Sequence, residues 1–162
     1  MERTTERDDL HPLLDGLKAE KSEDRQRALW ALKDTNDPEA LPHVYAVLES
    51  DTDLNVRSVA LRALCGFTCP EVYDYLVRAA QGRKDVPRFQ LPEALSRHGE
   101  ESVRHLWRMA LDQGEDGGVR IDALERAAGF SQDADPAVVV ESIAANVRAG
   151  DGDTMAKALA GR

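Results

Sequence analysis

The sequence predicts an all-α fold built from a repeated helical hairpin. Three observations predict it. A nine-residue pattern recurs four times, at 24–32, 56–64, 87–95 and 119–127. Apolar residues inside each copy follow a helical period, and no stretch reads as a strand once the helical alternative is weighed. Each copy carries an arginine at its second position, Arg25, Arg57, Arg88 and Arg120, separated by 32, 31 and 32 residues. Spacing this even marks internal repetition.

Taken in order, Leu10, Leu13, Leu14 and Leu17 place a helix before the array, after a charged segment, 1–8, expected to be disordered. In the first repeat Ala28, Leu29 and Leu32 share a helix face. Asn36, Asp37 and Pro38 break the chain, and Leu41, Val44, Val47 and Leu48 stripe a second helix. In the second, Ala60, Leu61 and Leu64 precede a break at Cys69 and Pro70, then Val72, Leu76, Ala79 and Ala80 follow. Proline suits a helix start, where its missing N–H costs nothing. The third copy is degenerate. Gly99 divides it, and Val103, Leu106, Trp107 and Leu111 continue. In the fourth, Gly129 ends the first helix and Pro136 opens a stripe of Val139, Val140, Ile143 and Val147. The run 137–140 is β-branched but lies inside that stripe. Met155, Ala158 and Leu159 mark a closing half-repeat. Asp53 and Asp85, in the acidic joints, are expected to be N-caps.

A length of 162 residues fits one domain, and the chain carries 30 Asp+Glu against 21 Lys+Arg, a formal charge of −9. Acidity and 5% aromatics disfavour nucleic acid, which needs clustered cations and stacking rings. Two cysteines make no disulfide framework, no leader opens the chain, and no apolar run reaches the ~20 residues of a membrane span. A soluble cytoplasmic protein is expected.

The run 53–66, from Asp53 through Val56-Arg57, the small pair Val59-Ala60 and Leu64 to Gly66, resembles the HEAT-repeat family. It is similar to the short bacterial HEAT-like repeats also found in phycobilin-lyase relatives. The resemblance covers about residues 22–149, strongest in the second repeat. It implies an α-solenoid of about four to five stacked HEAT-like hairpins, with second helices lining a concave face. The expected repeats are 22–53, 54–84, 85–116 and 117–149, within a single domain at 9–162. Tetratricopeptide and ankyrin signatures are absent.

Several groups bear on chemistry. The arginine ladder reads as scaffold, each arginine pairing with an inter-repeat Asp or capping a neighbouring helix, as the resemblance implies. Cys65 and Cys69 cannot supply the four ligands of a zinc site and read as a packed, reduced pair. His98-Gly99-Glu100 lacks the repeated adjacent His-Glu pairs of deoxyhypusine hydroxylases, and His98 is expected to face solvent near a helix end. DNA alkyl-base glycosylases and bilin lyases share such repeats. Arg78, Arg83 and Lys84 offer only a small basic spot towards the former, and no residue set specifies the latter. Trp107 aligns with the core positions Val44 and Leu76. Trp30 aligns with Arg62, a more exposed place.

Aligning the second helices leaves His43, Tyr45, Tyr73, Asp74, Tyr75, Arg78, Arg104, His105 and Arg108 off the apolar stripe. Tyr and Arg dominate binding hot spots because each joins a large apolar body to a polar end. These nine are the expected partner-binding residues of a non-catalytic protein-interaction or scaffold module acting through its concave face. No catalytic, metal or cofactor residues are assigned. The alternative is an enzyme or enzyme subunit of the bilin-lyase or glycosylase type. Self-association through the terminal repeats is a further expectation.

Overall fold

The structure is a computed structural model that describes residues 5–82 and 85–130, with side chains from Leu10 onward. The described residues form eight α-helices, α1 to α8, and three short 3-10 turns, with no strand among them. The chain divides into two compact units, Met1–Pro87 and Arg88–Arg162. Arg83, Lys84, the second helix of the fourth repeat, the run 137–140 and the closing half-repeat lie outside the described residues.

In the first unit, α1 spans Thr5–Gly16 and starts inside the segment expected to be disordered. Leu10 on this helix and Leu17 just after its end are buried. A Cβ added at Gly16 would lie 2.9 Å from the Ala28 Cβ, so the glycine lets α1 approach α2 closely. Helix α2, Ser22–Thr35, buries Ala28, Leu29 and Leu32. It opens with Glu23 and Asp24 and closes with Lys33, matching the helix dipole at both ends. Asn36 ends it in the left-handed region, φ 49°, which Asn tolerates better than most residues. The Asn36 side chain donates to the Thr68 hydroxyl (2.9 Å) and accepts from the Thr68 backbone N–H (3.0 Å). The two residues are 32 apart, the length of one repeat, so the bracket ties equivalent turns of neighbouring hairpins together.

Asp37 caps the 3-10 turn Pro38–Ala40, and α3 follows at Leu41–Ser50, burying Leu41, Val44 and Leu48. Asp53 caps α4, Leu54–Leu64, by accepting from the Asn55 N–H at 2.8 Å, as its place in the joint predicts. Helix α4 is buried nearly all round because α2 and α3 both pack on it. Helix α5, Pro70–Gly82, begins on its proline.

In the second unit, a 3-10 turn, Arg88–Gln90, leads into the short α6, Leu91–Ser96, whose Pro92 sits where an N–H is dispensable. This brevity is the structural form of the degenerate third copy. Gly99, φ 71°, makes the turn that separates the helices. A 3-10 turn, Gly99–Ser102, then opens α7, Val103–Leu111. Helix α8, Gly117–Phe130, packs against α6 and α7. It runs through Gly129 instead of ending there, because one glycine costs a helix only about 1 kcal/mol.

The arginines form a forward-reaching ladder. Arg25 holds Asp51 through two bonds, 2.8 and 3.0 Å, with Asp51 lying 26 residues ahead. Arg57 meets Asp85, 28 ahead, with its guanidinium 3.2 Å from the carboxylate. Arg88 meets Glu115, 27 ahead, at 2.8 and 2.9 Å. Arg57 and Arg120 also donate Nε to carbonyls at the ends of preceding helices, Leu48 (2.8 Å) and Ala110 (3.1 Å). These carbonyls have no partner within their own helix. Asp85 is thus a ladder acceptor. The next helical turn begins only at Arg88, too far along for Asp85 to cap it.

Candidate partner-binding surface

The first unit contributes α3 and α5. On α3, His43 is exposed and Tyr45 half-buried. On α5, Asp74 and Arg78 are exposed, Tyr73 is half-buried and Tyr75 is buried. The rings of Tyr45 and Tyr75 stack, centroids 4.0 Å apart and planes within 8°. Tyr75 donates its hydroxyl to Glu49 Oε1 at 2.8 Å, and the Tyr45 hydroxyl reaches the Glu71 carbonyl at 3.5 Å. Burial is the main force raising both phenol pKa values. Tyr45 is pushed up to about 12, with Glu71 adding and Arg78 opposing. Tyr75 is raised by burial and by the bond to Glu49. Both tyrosines therefore remain neutral donors at physiological pH.

Tyr75 is thereby corrected from a surface residue to a core one. It lies at the 72, 75, 76, 79 spacing of the buried stripe, so it faces inwards and offers its ring as a floor for Tyr45. The expected surface narrows in this unit to His43, Tyr45, Tyr73, Asp74 and Arg78. Arg78 donates Nε to the Asp74 carbonyl at 3.3 Å.

The second unit contributes α7. Arg104 and Arg108 are exposed, one helical turn apart. His105 between them is buried at 5% exposure, a second correction with the same cause: Ser102, His105, Leu106 and Met109 form one inward stripe. Arg104 donates Nε to His105 Nε2 at 3.0 Å. Burial, then Arg104, then Arg108 lower the His105 pKa, so the ring stays neutral and able to accept. Trp107 is buried at 7%, as its alignment predicts.

Cys65 and Cys69 are free thiols, and the Cys65 Sγ lies 3.2 Å from the Leu61 carbonyl. Burial first, then Glu71 and Asp37, push the Cys69 thiol up, which disfavours the reactive thiolate. His98 is half-buried and not solvent-facing. Burial lowers its pKa despite Glu101, opposing the positive charge expected at a helix end. Trp30 is 39% exposed, with the Lys33 ammonium 5.5 Å from its ring centroid. Among the described residues no group of three or more His, Cys, Asp or Glu could hold a metal ion, and no helix is long and apolar enough to cross a membrane. Glu49 and the Asn36–Thr68 bracket carry no signal in composition or period.

Consecutive packed helices, with Arg25, Arg57 and Arg88 each reaching a carboxylate 26 to 28 residues ahead, define a helical-repeat protein. The chain matches the HEAT repeats family over residues 10–88 and 42–128, and it belongs to that family. Comparisons with curated proteins and with solved structures found no match. HEAT repeats generally serve as protein-interaction or scaffold modules.

Proposed function

We propose that the chain is a non-catalytic interaction module that holds a protein partner on the second-helix surface, the side that HEAT solenoids present as their concave face. The observation that carries this reading is the Tyr45–Tyr75 stack, which fixes a half-exposed tyrosine on α3 against α5, beside Arg78. A preorganised aromatic loses little side-chain freedom on binding, and tyrosine with arginine is the usual hot-spot composition. The HEAT membership supports the same class of function.

The test is affinity capture by the full chain from its native cell, read by mass spectrometry, with wild type beside Tyr73→Ala/Arg78→Ala. A protein retained by wild type and lost by the variant, at unchanged melting temperature, is the expected result. Equal retention by both would remove the surface from consideration.

A further inference from the structure

The ladder arginines and the arginines of α7 are held in contrasting ways. Ladder arginines end on carboxylates: Arg25 on Asp51, Arg57 on Asp85 and Arg88 on Glu115. Their charge is spent inside the protein. Arg104 is tethered through Nε alone, to the neutral ring of buried His105. A neutral acceptor orients the guanidinium without cancelling its charge. Arg108 stands one turn further along α7, also exposed. Among the described residues neither arginine forms an ion pair.

We infer that the exposed face of α7 in the second unit binds a short acidic segment of a protein partner, with Arg104 and Arg108 each taking one carboxylate. This rests on the interaction-module reading and names the chemistry of a partner segment at α7 of the second unit. Four residues of helix rise by about 6 Å. Carboxylates two residues apart on an extended strand are separated by about 6.6 Å, so a Glu-X-Glu segment spans the two guanidiniums. Among the described residues no carboxylate pairs with the terminal nitrogens of Arg104, and guanidinium–carboxylate pairing is the strongest use for them. Two features limit the occupant to a short protein segment. Glu100 and Glu101, exposed just before α7, repel a continuing polyanion. Trp107, the aromatic of this helix, is buried and gives bases no platform for stacking. His105 acts as a positioning residue for Arg104.

The experiment uses the full chain and a fluorescein-labelled hexapeptide of Ser and Gly with one central Glu-Ser-Glu, with its Lys-Ser-Lys counterpart and a thymidine dodecanucleotide as comparisons, read by fluorescence anisotropy at low salt. The Glu peptide is expected to bind, and R104E/R108E to weaken it by about tenfold or more. Arg62→Glu, on the exposed side of α4, is expected to leave affinity unchanged. His105→Leu should weaken binding, and His105→Gln, which restores a neutral acceptor, should recover part of the loss. Circular dichroism confirms that each variant is folded. Absence of Glu-peptide binding, equal binding by R104E/R108E, or tighter binding of the oligonucleotide overturns the proposal. The two readings fail separately. Loss of the captured partner in Tyr73→Ala/Arg78→Ala without any Glu-peptide binding removes the acidic segment and leaves the module standing.

Discussion

The Tyr75 hydroxyl is bound to Glu49 while its ring lies flat against Tyr45, so one buried phenol joins α5 to α3 by two unlike interactions. Ionising it would set a phenolate beside a carboxylate. Both phenols have folded pKa values above the ordinary 10, Tyr45 at about 12. The unfolded chain releases these protons first. The stabilisation is therefore complete below pH 10 and is lost as pH rises past it. Melting temperature should fall between about pH 10 and 12, and Tyr75→Phe should flatten that fall. An unchanged alkaline slope in the variant would mean Tyr75 is not buried beside Glu49.

Acid acts through the second unit. Burial and two neighbouring arginines hold the His105 pKa below 6.5, and burial lowers that of His98. The unfolded state takes up these protons first, so the stabilisation is whole above pH 6.5 and declines as pH drops below it. His105→Gln should lessen the loss of melting temperature on going from neutral pH into this range. Equal losses in variant and wild type would contradict the burial of His105.

Arg57 is 7% exposed and donates to the Leu48 carbonyl while facing Asp85. Arg57→Ala leaves that carbonyl unsatisfied and should cost about 2 kcal/mol. For a chain of this size that is a fall of about 4–8 °C in melting temperature. Differential scanning calorimetry measures it, and no change would remove the ladder from the list of structural supports.

The two tryptophans should report opposite surroundings. With Trp30→Phe, emission comes from Trp107 alone, 7% exposed, and should be blue-shifted and resistant to acrylamide. With Trp107→Phe, emission from Trp30, 39% exposed, should be red-shifted and readily quenched. Identical quenching in the two variants would contradict the placement of both.

Helix period and the arginine interval carried most of the architecture, because both are local patterns repeated four times. Asp53 was legible as a cap for the same reason, its helix starting at the next residue. Asp85 was not, because the degenerate third copy delays its helix to Arg88 and leaves the carboxylate to Arg57. Tyr75 and His105 were misplaced at the surface by their polar ends. Their positions in the stripes 72, 75, 76, 79 and 102, 105, 106, 109 already put them inside. A buried Tyr or His needs a partner for its polar atom, and Glu49 and Arg104 supply one from places no period predicts.

The ladder has a consequence for how such a chain could lengthen. Arg25, Arg57 and Arg88 lie 26 to 28 residues before their carboxylates, less than one repeat of 31 or 32. A tandem duplication of one whole repeat, cut anywhere, therefore brings in one new donor and one new acceptor and restores the interval on both sides of the insertion. Growth by whole units leaves no buried charge stranded, whereas a deletion of half a unit strands an arginine at once.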